Sequence, residues 1–245
     1  MRGENRPALL TGGAMPIDLI CLDADDTLWH NMRHFNATED ALLAMLQPFA
    51  DAHVARDALN ACEARNLKLY GYGAKGFTLS MIETAVELAG EAVSRDLVAA
   101  ILKAGKELLA HPVILFEGVE DTLEALAARG RLVLVTKGDL LHQEAKLAAS
   151  GLGSHFSGVE IVSDKHTDTF RRLFAAYSVA PGRTVMAGDS MRSDILPALE
   201  AGAWAAYIPQ EGAWIHEHGK APEEHPRFRQ LDALVDLPGW IDTIG

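Results

Sequence analysis

Cysteine is nearly absent from this chain of 245 residues: only Cys21 and Cys62 occur. Two cysteines exclude a disulfide framework and offer no zinc-ligand spacing. Cys21 lies inside an apolar run and reads as a small buried hydrophobe rather than a nucleophile. Long apolar stretches are missing as well. None approaches the roughly eighteen residues a membrane-spanning helix needs, and the Ala8-Leu9-Leu10 patch is too brief for a secretory signal. Residues 1–14 read as a flexible extension, and a reducing cytoplasm is the expected location. Positive charge is scarce, with 22 Lys and Arg against 34 Asp and Glu and a formal net charge of -12. Nucleic acids and anionic membranes call for basic surfaces, so neither is an expected partner. A local site can still oppose the overall sign and take a small anionic substrate. No internal repeat or low-complexity segment is evident. The composition, 49% hydrophobic and 23% charged, is that of an ordinary globular protein able to bury a core.

Four segments read as buried strands: Ile17 to Leu22, Arg131 to Val135, Thr184 to Ala187 and Ala203 to Ile208. Val159 to Val162 is a weaker fifth. Near-continuous apolar runs fit a parallel sheet covered on both faces. Helical periodicity lies between the later strands, over Glu120 to Arg129, Leu140 to Ser150, Thr167 to Val179 and Ser193 to Ala201. Gly130, Gly151 and Gly202 follow three of these helices, where C-caps favour glycine. Strand alternating with helix predicts an α/β fold with a doubly wound, Rossmann-like parallel sheet. From about Asn31 to Ala110 the alternation stops. Only helical patterns occur there, over Ala41 to Phe49, Ala55 to Leu69, Leu79 to Leu88 and Ser94 to Leu109. The expected organisation is a catalytic core over 15–30 and 111–245, with an all-helical cap over 31–110. An insertion at that end of a sheet sits above the ligand crevice.

The first strand runs into Asp23-Ala24-Asp25-Asp26-Thr27. Three carboxylates within four residues repel one another, and a bound cation relieves the repulsion. Hard oxygen donors of this kind suit magnesium. The other strands end in Thr136-Lys137-Gly138-Asp139, Ser163-Asp164-Lys165 and Gly188-Asp189-Ser190, with Asp194 five positions past Asp189. In a doubly wound sheet these ends converge on one crevice. Carboxylates, a hydroxyl and an ammonium gathered there suit a metal-bound phosphate. Lys137 is left out of this set, because adjacent strand residues point to opposite faces.

Taken together, these four segments resemble the haloacid dehalogenase superfamily, over about Ile17 to Ile208. Its members are mostly magnesium-dependent phosphohydrolases, and the helical insert resembles the superfamily's C1-type cap. The resemblance implies that Asp23 is the nucleophile that forms an aspartyl phosphate, and that Asp25 protonates the leaving oxygen and then deprotonates water. It implies that Asp23, Asp25 (through its backbone carbonyl), Asp189 and Asp194 hold magnesium, Asp194 through coordinated water, and that Thr136 and Lys165 bind phosphate oxygens. For acid-base work the Asp25 carboxyl is expected above its ordinary pKa of about 3.9. Dehalogenases lack this second acid, so the implied reaction is hydrolysis of a small phosphorylated metabolite. A phosphomutase or a non-hydrolytic phospho-ligand binding or signalling protein is the alternative. Asp26 stands where the superfamily usually has glycine. The substrate and the oligomeric state are not legible.

Gly71-Tyr72-Gly73-Ala74-Lys75-Gly76 matches G-x-G-x-x-G, but no strand precedes it, and nicotinamide binding is not expected. It reads as a cap loop from which Tyr72 and Lys75 reach the substrate, or as a surface turn. His30 and His34 follow the acidic loop and read as structural. The tail from Gln210 to Pro226, with His216, His218 and His225, reads as an irregular surface excursion, followed by a short helix or strand within Leu231 to Ile241.

Overall fold

The apolar runs form strands of one sheet, in a computed structural model that describes residues 16–210, 212, 214, 217 and 219–244. The extension 1–14 and the histidines at 216 and 218 lie outside the described residues. The strands are β1 (Leu19–Leu22), β2 (Arg131–Lys137), β3 (Gly158–Val162), β4 (Thr184–Gly188), β5 (Trp204–Tyr207) and β6 (Phe228–Gln230). All pair in parallel, in the order β3-β2-β1-β4-β5-β6. The chain steps outward from β1 to β3 and then crosses back to β4 on the other side of β1. The order reverses there, and ligands of doubly wound sheets bind at that reversal, beyond the carboxyl ends of the strands.

Alternation along the strands explains the two-sided core. Ile20, Leu22, Leu134 and Ala187 face a layer that includes Leu123 and Leu126 of α5 (Val119–Ala127) and Leu237 and Trp240 of α9 (Leu237–Ile244). Leu19, Cys21, Val133 and Met186 face the other layer, where Phe170 and Phe174 of α7 (Thr167–Ala176) and Ala198 of α8 (Leu196–Glu200) pack. Complete burial of one such phenylalanine contributes about 2 to 3 kcal/mol. Cys21 is fully buried and burial pushes its thiol pKa up, so it is a packing residue.

Between β1 and α5 lie α1 (Met32–Leu46), α2 (Ala52–Tyr70), α3 (Ala74–Ala89) and α4 (Arg95–Leu109). They enclose their own core around Leu42, Leu46, Leu59, Met81 and Ile101. The remaining core helix, α6 (Leu140–Ser150), follows β2, and Gly151 ends it at φ 74.

Three elements differ from the expected pattern. α1 begins at Met32, nine residues before the periodicity over Ala41 to Phe49, because its cavity side mixes Met32 and Phe35 with polar Asn36 and Glu39 and so shows no apolar stripe. The segment before α8 is a π-helical turn, Met191–Ile195, rather than the start of a regular helix. The edge strand β6 was not expected; three residues, two of them charged or polar and exposed, give no alternating run to recognise.

Candidate active site

Leu22 of β1 lies level with Leu134 of β2 and Ala187 of β4, so the residues that follow emerge along one edge. The Asp23 amide extends the ladder by one bond, donating to the Ala187 carbonyl at 2.9 Å. Asp23 is 6% exposed, and its carboxylate accepts from the Thr27 hydroxyl at 3.3 Å and from the Lys165 ammonium. The same ammonium donates to Asp194 at 2.7 Å. Lys165, from the loop after β3, is thus buried between two carboxylates. Burial opposes its charge, but Asp194 and Asp23 outweigh that and push its pKa up.

Asp194 reaches the site from the π-helical turn and accepts from the Ser190 amide at 3.0 Å. It passes so close to Gly188 that a Cβ there would lie 2.2 Å from its carboxylate, so only glycine fits. Asp23, Asp189 and Asp194 each offer an oxygen, and all three oxygens lie within 4.8 Å of one another. Burial pushes Asp23 up to about 7, against the Lys165 ammonium and with Asp194 adding to the rise; burial, and then Asp23 and Asp194, push Asp189 well above the carboxylate range. Buried like charges that converge in this way are relieved by a cation, and an all-carboxylate donor set fits a hard divalent ion.

The Asp25 side chain does not join that cluster. Lys146 of α6 donates to both of its oxygens at 2.6 Å, Trp29 donates at 2.7 Å and Gln143 at 3.1 Å. Burial alone would raise the Asp25 carboxyl, but the Lys146 ammonium and these donors hold it below the ordinary range. The direction is opposite to that expected from the sequence, because the positive charge on α6 could not be placed in advance.

Thr136 is buried at the end of β2 and accepts from Gln143 at 2.6 Å. Gln143 Nε2 also donates to the Lys137 carbonyl, while its Oε1 is buried with no partner among the described residues. Asp26, in the place of the usual glycine, takes φ 58, a left-handed conformation that aspartate tolerates better than most residues. Its carboxylate accepts from the amides of Asn31 and Met32 and so caps the start of α1.

These groups open into a cavity of about 140 Å³ between the sheet edge and the helical insert. Tyr72 lines it and lies over the Lys137 ammonium at 3.9 Å. Lys75 is not among the lining residues; it donates to both oxygens of Asp139 at 2.9 Å and ties the insert to the core. The glycines around these residues form the turn between α2 and α3, with Gly71 and Gly73 at positive φ. His30 packs on Phe116 and His34 stacks on His111, both away from the cavity lining.

Lys137 does belong to the cavity lining. It is the last residue of β2, at the carboxyl edge of the sheet, and it donates to Ser193 at 2.6 Å and pairs with Glu217. The excursion after Gln210 is likewise not confined to the surface. Glu217 accepts from Ser190 and Ser193, and Trp214 donates to Glu63 of α2. Nothing in a Gly- and Pro-rich tail announces such contacts. For α6 a signal existed: its polar His142, Gln143 and Lys146 are buried while Leu140 and Leu141 are exposed, an inverted amphipathic pattern that marks a helix facing a polar site.

Comparison with known proteins agrees with this architecture. A family model described as haloacid dehalogenase-like hydrolase matches residues 17–202. A haloacid dehalogenase-like family hydrolase from Xanthomonas campestris, solved by crystallography, is 37% identical over 97% of this chain and 94% of its own, with a TM-score of 0.84. A putative HAD-hydrolase from Bacillus subtilis shares the fold at 18% identity, covering 93% of this chain and all of its own, with a TM-score of 0.65. N-acylneuraminate-9-phosphatase of Mus musculus is 27% identical over 170 residues, and the match spans 66% of each chain.

Proposed function

The chain belongs to the haloacid dehalogenase-like hydrolases, and from that premise we propose that it is a magnesium-dependent phosphatase acting on a small phosphomonoester through an aspartyl phosphate. The observation that carries this reading is the convergence of Asp23, Asp189 and Asp194, the first and last of them paired with the Lys165 ammonium, with a second carboxyl, Asp25, two residues from the first. The likeness to an N-acylneuraminate-9-phosphatase supports a phosphatase rather than a dehalogenase.

In the proposed mechanism, an Asp23 oxygen attacks phosphorus opposite the leaving oxygen. A bond forms between them as the phosphorus–leaving-group bond breaks, and Asp25 gives the departing oxygen a proton. Asp25 then takes a proton from water, which attacks the acyl phosphate, releases inorganic phosphate and restores Asp23. Lys165 and Thr136 hold phosphate oxygens, and Lys165 offsets charge that would otherwise repel the nucleophile. Asp23, Asp189, Asp194 and the Asp25 carbonyl would hold magnesium, which when bound neutralises charge on the phosphoryl oxygens. Asp25 rests ionised against Lys146. An arriving phosphate dianion places negative charge beside that pair, draws on the ammonium and raises the Asp25 carboxyl toward protonation.

The test is phosphate release from a panel of small esters, with magnesium and with chelator, for the wild type and Asp23→Asn. Release that needs both magnesium and Asp23 is the expected result. Turnover unchanged in Asp23→Asn overturns the mechanism, and full turnover in chelator overturns the metal assignment.

A further inference from the structure

The cations that line the cavity are confined to one side, whereas carboxylates line both. Every cationic side chain among the lining residues, Lys137, Lys146 and Lys165, comes from the core, as does His142. The helical insert contributes two carboxylates, Glu39 and Glu63, and no lysine, arginine or histidine. A phosphate held at the sheet edge by these cations therefore directs the rest of its ester toward a wall that offers none.

The polar groups of that wall accept hydrogen bonds. Glu63 is 8% exposed and bonded to the indole of Trp214, which leaves further lone pairs on its carboxylate. Asn66, one turn along α2, is 6% exposed, and its amide nitrogen donates to Ser80 at 3.2 Å and Glu83 at 3.0 Å. With its donors committed, Asn66 has its carbonyl left to offer. Ser80 gives its proton to the Gly76 carbonyl at 3.0 Å. Glu39 is held by Arg56, at 2.5 Å, from outside the lining. Phe35, Phe77 and Trp214 supply apolar surface between these groups.

We infer that this end of the cavity selects leaving groups that present hydrogen-bond donors, hydroxyl or ammonium, and rejects those that carry a carboxylate. The inference rests on the phosphatase reading and narrows its substrate class to non-carboxylated phosphate esters, such as polyol, sugar or amino-sugar phosphates, in contrast to the sugar acid in the name of the N-acylneuraminate-9-phosphatase that the chain resembles. At pH 8, where Glu63 is ionised, a carboxylate facing it and the Asn66 carbonyl would meet repulsion and lone pairs, with no cation from the insert to pair it, so the comparison is made at that pH.

Esters matched in length test this. Sorbitol 6-phosphate and 6-phosphogluconate differ by one terminal carboxylate, as do glycerol 3-phosphate and 3-phosphoglycerate, and glucosamine 6-phosphate adds an ammonium. We expect kcat/KM for the uncharged member of each pair to exceed that of its carboxylated partner by about tenfold or more. Glu63→Gln, its fold checked by thermal melting, should shrink that ratio. A fall confined to glucosamine 6-phosphate would identify ammonium as the preferred donor, and a fall shared by the polyols would identify hydroxyl. Carboxylated esters hydrolysed as well as their partners, or a ratio untouched by Glu63→Gln, would overturn the inference while leaving the phosphatase reading intact. No release from any ester, para-nitrophenyl phosphate included, would instead overturn the phosphatase reading and this one with it.

Discussion

Lys146 lays its ammonium across both carboxylate oxygens of Asp25, 2.6 Å from each, on a side chain only 5% exposed. The pair holds the Asp25 carboxyl below the ordinary range against the effect of burial. In Lys146→Met, burial is opposed only by Trp29 and Gln143, so the Asp25 carboxyl rises. The limb of the kcat/KM pH profile that Asp25 sets should move to higher pH, and kcat should fall about ten- to hundredfold. Stability should drop by about 2 kcal/mol, less than for a fully buried pair because Asp25 keeps 23% of its side chain exposed. A pH profile that stays in place would show that Lys146 does not govern Asp25.

The sequence made some of this site readable and hid the rest, for definable reasons. Asp23, Thr136 and Asp189 close apolar runs, and Lys165 and Asp194 follow such runs closely, so parallel-strand geometry alone brings them to one edge. Lys146 and Gln143 sit in the middle of a helix, and only the rotation of α6 about its axis turns them toward Asp25. Glu217 and Trp214 reach the cavity from a tail without periodicity, so no pattern connects Glu217 to Lys137, 80 positions away, or Trp214 to Glu63 on α2. Glu63 reads as one more charged residue on an amphipathic helix until its burial is known.

Metal binding has a readout independent of turnover. Magnesium at about a hundredfold excess over its Kd should raise the melting temperature by about 5 to 10 °C, because it binds only the folded cluster. In Asp194→Asn one of the three converging carboxylates is gone, and the rise should largely disappear. Equal rises in both proteins would place the ion away from Asp194.

Glu63 makes stability depend on pH. Burial first, and Glu39 next, push its carboxyl from 4.5 to about 7. Below pH 4.5 the folded and unfolded chains both carry this proton and nothing is lost. As pH rises through the interval between 4.5 and 7, the unfolded chain ionises more readily, and the folded state loses stability. Glu63→Gln keeps an acceptor for Trp214 and never ionises. Its advantage over the wild type should be about 1 kcal/mol at pH 5 and about 3 kcal/mol at pH 8, read by urea denaturation at both values. A difference that did not change with pH would mean that Glu63 titrates normally.

Asp26 combines a backbone demand with a capping role, and substitutions separate the two. At φ 58 a residue with a Cβ is strained, by about 1 kcal/mol relative to glycine, although aspartate and asparagine tolerate this region better than alanine does. The carboxylate meanwhile serves the amides of Asn31 and Met32, and loss of such a cap costs about 1 kcal/mol. Asp26→Gly loses the cap and gains conformational ease, so the two effects partly cancel. Asp26→Ala loses the cap and keeps the strain, and should be the least stable, by about 1 kcal/mol relative to Asp26→Gly. Asp26→Asn keeps an acceptor oxygen and the tolerance for this conformation. It also avoids ionising a carboxyl that burial pushes up to about 6, so it should match the wild type or exceed it at pH 8. Denaturation midpoints of the four proteins at pH 8 would give the order Asn, Asp, Gly, Ala from most to least stable. If alanine equals glycine, the left-handed conformation at this position is not what limits the choice of residue, and the cap alone accounts for the aspartate.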